Sequence, residues 1–551
     1  MKSKKFITLL ILLGLALASC QSAAPEPEEP IANVPAERTE SPPMVEEEGE
    51  AVVVTEVVEV VVTPPPIAIQ PLPEEPRPVP TASHRLPVPG TVPTPADNYF
   101  QDYGVNPFVD AFEDHLSTFA LDVDTASYSV ARRYVMEGNL PPADAVRVEE
   151  FVNYFDQGYA TPDNVAFAIY ADGAPSPFRH EDTYILRFGV KGYEVPEWGR
   201  KPASLTFVID VSGSMDRENR LGLVKQSLQL LVDRLRPDDT VAIVVYGSRA
   251  YLVLPPTPGD QRETILNAIY SLRPEGSTNA EAGLRLGYEM AMQTFKSGAT
   301  NRVILCSDGV ANVGATGPDE ILGRIRGYVE EGVTLTTVGF GMGNFNDVLM
   351  EQLADNGDGH YAYVDTLDEA RKLFIEDLTA TLQVIAKDAK VQVDFNPEVV
   401  AYYRLMGYEN RDVADQDFRN DAIDAGEIGA GHSATALYEV VLRPDAGGRI
   451  ATVQLRWEDP ETYQVHEING NFNTWDLAQS FDAASPYYRL AVIVGHYAEI
   501  LRRSPWMQDI SLSQVHGLAF PLAHELPWDQ EVSEFLNLIS RASQIESITW
   551  Q

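Results

Sequence analysis

Five oxygen-bearing residues stand at three points where apolar runs of the chain stop. The run at 205–209 passes directly into Asp210-Val211-Ser212-Gly213-Ser214, so a carboxylate and two hydroxyls follow one strand end at alternate positions. Thr278 lies in Gly276-Ser277-Thr278-Asn279, just ahead of a helical pattern, and Asp308 follows Ser307 at the end of the apolar run 302–306. Two carboxylates and three hydroxyls are hard donors. They suit Mg2+, or another divalent ion such as Mn2+ or Ca2+, because Mg2+ takes near-octahedral oxygen at about 2.0–2.1 Å and keeps some of its water. With only two carboxylates the ion retains positive charge and an open position that a partner's carboxylate can fill. The same residues also suit turns and helix caps, as at Ser214 and Thr278. That use does not account for two aspartates ending separate apolar strands.

Such residues converge only if the strands before them lie side by side. Residues 201–386 alternate strand and helix patterns, with strands at 205–209, 241–246, 251–254, 302–306, 333–340 and 361–364. Between the first two, Leu221, Val224, Leu228, Leu231 and Leu235 recur at spacings of three and four, one face of a helix. Continuous apolar strands separated by helices predict an α/β fold with a doubly wound, mostly parallel sheet, whose ligands sit at the carboxyl ends of its strands. A helix is expected over 367–385. On either side the chain turns strand-rich, at 165–190 before the block and at 389–457 after it. The α/β block is therefore expected to be inserted into a β-sandwich built from both flanks. The resulting segments are an N-terminal α+β region at 105–200, the α/β domain, a β region at 387–475 and a helical region at 476–551. Asp122 to Ser127 reads as a helix N-cap, and the acidic stretch 412–427 as a solvated loop that fails the EF-hand spacing.

Asp210-x-Ser212-x-Ser214, Thr278 and Asp308 resemble the metal-ion-dependent adhesion site of von Willebrand factor type A (VWA) domains. That resemblance implies a VWA fold in which the serines and the threonine bind the ion directly or nearly so, while the aspartates often act through water. It also implies a protein ligand that donates a carboxylate to the ion. Stretches at 117–124, 140–155, 224–235, 333–354 and 386–410 resemble a bacterial group of VWA-domain lipoproteins, whose flanking regions have no defined role.

The amino terminus fits that resemblance. Lys2, Lys4 and Lys5 precede an apolar run to Leu17, a secretory leader too short to span a bilayer. Leu17-Ala18-Ser19-Cys20 resembles a lipobox, which implies that 1–20 is a lipoprotein signal whose Cys20 becomes the lipidated mature N-terminus. Residues 21–104 hold nearly half of the chain's 39 prolines together with many glutamates, the composition of a disordered stalk. The expected location is the cell envelope, on the exported face of a membrane.

Across 551 residues the formal charge is −40, which argues against nucleic-acid binding because phosphate neutralisation needs a basic face. No enzyme motif is complete. Gly431-His432-Ser433-Ala434-Thr435 lacks the last glycine of a nucleophile elbow, and His524-Glu525 runs into Pro527 with no second histidine at the required spacing. The expectation is a non-enzymatic envelope protein that binds a partner through a divalent ion. The alternative is an envelope scaffold whose flanking regions make the main contacts and whose metal is structural.

Overall fold

The computed structural model describes residues 98–549 apart from 164, 180–181, 218–219, 310–317, 343–344 and 378–381. The leader, Cys20 and the proline-rich segment up to residue 97 lie outside the described residues.

Six strands form the central sheet, in the order Tyr361–Val364, Thr334–Phe340, Thr300–Ser307, Ala203–Asp210, Thr240–Tyr246 and Ala250–Pro258. Neighbours run parallel except at the last pair, where Ala250–Pro258 returns antiparallel along the edge. Alternate side chains feed two apolar layers. Leu205, Phe207, Ile209, Ile243, Val245 and Cys306 enter one, and Val208, Val244, Val303 and Leu305 enter the other. Burial on both faces is why these strands read as largely apolar runs. Helix Leu221–Val232 covers the first layer through Val224, Leu228 and Leu231, and helix Ala280–Gln293 covers the second through Leu284 and Tyr288.

The two flanks of this α/β domain fold together. One antiparallel sheet runs Val109–Asp110, Val400–Met406, Ser433–Leu442, Thr183–Gly192, Phe167–Pro175. In the second, Val384–Phe395 pairs with Arg449–Glu458 on one side and with Leu116–Ala120 and Gly426–Gly429 on the other. Arg449–Glu458 in turn pairs with the edge strand Val465–Asn473. Phe188, Val391, Val393, Phe395, Tyr438 and Leu455 fill the space between the sheets. A further core joins helices Ala126–Met136 and Val148–Asn153 to Pro486–Leu501, Leu512–Ala519 and Gln530–Thr549 through Tyr128, Phe151, Tyr497 and Phe535.

Several local expectations are corrected. The helix expected over 367–385 is not a continuous α-helix: Leu367–Arg371 passes into a π turn at Lys372–Glu376, Leu382 is again helical, and Val384 already pairs in the sandwich. Residues 98–104, assigned to the stalk, begin packed on the body: Asn98 donates to the Tyr134 hydroxyl at 2.7 Å and Tyr99 pairs with Asn346. Thr125, at the start of helix Ala126–Met136, makes no side-chain cap. Asp124 instead accepts the Tyr361 N–H at 3.0 Å, and Asp122 pairs with Arg411. Nor is 412–427 simply solvated. Asp415 accepts the Thr118 hydroxyl at 2.6 Å, Phe418 is buried, and Gly426–Gly429 joins the sandwich.

This shared construction has a testable consequence. A chain ending at residue 383 leaves Thr183–Gly192 and Leu116–Ala120 without Ser433–Leu442 and Val384–Phe395, exposing unpaired edges and Phe119, Leu186 and Phe188. Loss of soluble monomer, read by size exclusion, is the expected result. A monodisperse truncated chain would show that the N-terminal strands do not need their partners.

Candidate metal centre

The carboxyl edge of the central sheet gathers the predicted residues. Strand Ala203–Asp210 pairs with Thr300–Ser307 on one side and Thr240–Tyr246 on the other, so Asp210 and Asp308 leave adjacent parallel strands at the same end. Asp210 is fully buried and Asp308 is only 4% exposed. One Asp210 oxygen accepts the Ser212 N–H at 2.7 Å, and the other accepts the Ser307 hydroxyl at 3.2 Å. The chain then turns through Gly213–Asp216, bringing the Ser212 and Ser214 hydroxyls to 2.9 Å from each other. Ser212 is buried and Ser214 exposed, so the cluster opens to solvent at Ser214.

The Thr278 loop abuts this turn. The Gly213 N–H donates to the Gly276 carbonyl at 3.1 Å, and Glu275 N–H donates to the Val211 carbonyl. Asn279, not Thr278, caps helix Ala280–Gln293 by accepting the Ala282 N–H. Among the described residues no hydrogen bond or ion pair engages the half-buried Thr278 side chain. Neither Ser212, which precedes the turn at 213–216, nor Thr278 is spent on a cap. Val310-Ala311-Asn312, beyond Asp308, lies outside the described residues.

Electrostatics supply the fit to a cation. Burial, with Asp308 beside it, pushes the Asp210 carboxyl up to about 6. Burial also raises Asp308, against the opposing pull of Arg220 and the Ser214 hydroxyl. Two desolvated carboxylates that disfavour each other's charge, with hydroxyls at their open side, suit a hard divalent ion. Among the described residues no group of three or more His, Cys, Asp or Glu side chains is arranged to hold a metal, so hydroxyls must supply part of any ligand set.

Sequence reasoning missed three contributors. Ser307 orients Asp210, Arg220 reaches Asp308 from the start of helix Leu221–Val232, and exposed Arg217 acts electrostatically on Asp308. Only Ser307 carried a signal, as the residue between an apolar strand and Asp308. The rejected enzyme candidates stay apart from this edge. Ser433 begins a sandwich strand, and His524 and Glu525 lie in the short C-terminal helix Leu522–Glu525.

Comparison with known proteins agrees with this architecture. Residues 204–378 match the family model for the von Willebrand factor type A domain, residues 94–186 one for von Willebrand factor, and residues 380–545 one described as "Uncharacterized protein YfbK, C-terminal". The chain is 36% identical to the Escherichia coli (strain K12) protein YfbK over 486 residues, covering 83% of each chain. It is 26% identical to the Synechocystis protein sll0103, covering 54% of this chain and 70% of that one. Among solved structures, a von Willebrand factor type A protein from Catenulispora acidiphila is similar with a TM-score of 0.40 and 16% identity, over 67% of this chain and 89% of that one.

Proposed function

The chain belongs to the VWA-domain family of Escherichia coli YfbK, and on that footing we propose that it binds a protein partner through a divalent ion at the sheet edge. Asp210, Ser212, Ser214, Thr278 and Asp308 are the residues that would hold the ion, as a metal-ion-dependent adhesion site. When bound, the ion supplies a concentrated positive charge with a position that a partner's carboxylate can occupy. The chain's own residues prepare that contact. Ser212 and Ser307 fix both oxygens of Asp210, and Ser214 keeps the cluster open to solvent.

The observation that carries the reading is the pair of buried carboxylates on adjacent strands beneath an exposed hydroxyl turn. Among the described residues of the edge none forms a nucleophile–base arrangement, and we assign the edge to binding. Lipidation of Cys20 would tether the body on the exported face of an envelope membrane, with the proline-rich segment as spacer.

The test is crosslinking and pull-down from envelope extract in Mg2+ and in EDTA. Capture that requires Mg2+ supports the ion-bridged contact. Capture unchanged in EDTA rejects it and favours the reading in which the flanking sandwich and helices make the main contacts around a structural metal.

A further inference from the structure

The candidate metal centre already contains a cation of its own. Arg220 is 1% exposed, and one of its terminal nitrogens contacts Asp308 Oδ2. The same nitrogen donates to the Ser214 carbonyl at 3.1 Å, and the other donates to the Met342 carbonyl. The guanidinium thus touches two of the five predicted residues. It is also housed. Gly341 holds φ at +82°, and a Cβ there would stand 2.6 Å from Arg220 Cγ and Nε. The glycine-rich turn after strand Thr334–Phe340 therefore forms the slot that admits this side chain.

We propose that Arg220 is a resident counter-ion of the site, holding the Asp308 carboxylate when no divalent ion is bound and lowering the affinity for one. This rests on the metal reading above and deepens it. A carboxylate can accept from a guanidinium and still offer electron pairs, so the arginine need not block the ion outright. It withdraws negative charge from one of only two carboxylates, and it sets a fixed positive charge against an incoming one in a poorly solvated place. Both effects weaken ion binding. The site then keeps its ion firmly only when a further carboxylate, the partner's, joins the shell. Ion retention and partner binding become coupled through Asp308.

The experiment is a Mn2+ titration, followed by electron paramagnetic resonance, of the wild type, R220Q, R220K and D210A. Gln keeps an N–H donor for the Met342 or Ser214 carbonyl and removes the charge. R220Q is expected to bind Mn2+ about 10–100-fold more tightly than wild type, the size that contacts to metal ligands typically carry. R220K, which keeps the charge, should stay closer to wild type than to R220Q. Equal or weaker binding by R220Q, with D210A still defective, overturns the role of Arg220 and leaves the metal site standing. Equal binding by wild type and D210A overturns the metal site itself, and with it this proposal. Should R220Q unfold in ion-free buffer, thermal unfolding with and without Mg2+ decides the matter. A larger ion-dependent rise in Tm than in wild type supports the proposal, and an equal or smaller one rejects it.

Discussion

Asp210→Ala and Asp210→Asn are expected to weaken Mg2+ binding by about 10–100-fold and to end Mg2+-dependent capture of the partner, without loss of the fold. The expectation follows from what the buried carboxylate touches. Its two oxygens accept from Ser212 N–H and the Ser307 hydroxyl, so its place is set by the strand end itself. Burial and the nearby Asp308 disfavour its charge, pushing the carboxyl up to about 6. Removing that charge relieves a cost of folding while taking away half of the carboxylate charge available to an ion. Asn retains an acceptor for the Ser212 N–H, whereas Ala leaves two donors unmet at about 1–3 kcal/mol each. The two variants should therefore differ in Tm but agree in metal binding. Isothermal titration with Mg2+ and circular dichroism separate the effects. Wild-type affinity in D210N would remove Asp210 from the metal site.

Much of the arrangement around Asp210 is legible in sequence because burial on both faces writes itself into composition. The runs ending at Ile209, Tyr246 and Cys306 are apolar apart from Thr206 and Arg302, and each is a parallel strand covered by helices on two sides. The oxygen-rich turns stand out against such runs. Strand Thr183–Gly192 pairing with Ser433–Leu442 follows from strand-rich flanks on both sides of an α/β block, since each flank alone lacks enough strands to enclose a core. Edge strand Val465–Asn473 was illegible for the converse reason. It is largely exposed, and its residues carry little apolar alternation.

Buried charges are the larger gap. Arg220 looks in sequence like an ordinary polar residue at a helix start, and its partners Asp308 and Met342 lie far along the chain. Arg132, Arg147 and Arg411 are similar. Arg132 binds Asp365 and Glu369, Arg147 binds Asp347, and Arg411 binds Asp122 and Asp355. Apart from Asp122, itself a flank residue, these carboxylates come from the α/β domain and meet an arginine from a flank. Composition records these residues as surface charge. Only the fold reveals that part of the acidic excess is neutralised inside, where the domain meets its flanks.

Arg404→Met is expected to cost about 3 kcal/mol of stability, at the lower end of what breaking a buried ion pair costs. Arg404 and Glu439 face each other on neighbouring strands, with Nε to Oε2 at 2.8 Å. Arg404 also reaches Glu499 on helix Pro486–Leu501 at 3.3 Å, and all three side chains are fully buried. The arginine thus binds a sandwich sheet to the C-terminal helices. Methionine would fill much of its volume but leave two buried carboxylates short of a cation. The loss stays near the lower end because Arg179 still pairs with Glu439 and Arg502 with Glu499. Burial alone would raise the Glu499 carboxyl, but Arg404 and Arg502 outweigh it and hold the group down at about 2, against an ordinary 4.5. A depressed carboxyl contributes stability above its unfolded value and loses it as the pH falls through the folded one. The gap between wild type and R404M should accordingly be full at pH 7 and narrow between pH 4.5 and 2. Urea unfolding at pH 7 and pH 3 measures both. A gap under about 0.5 kcal/mol at pH 7, the range of an ordinary surface substitution, would mean that Arg404 does not hold sheet and helices together.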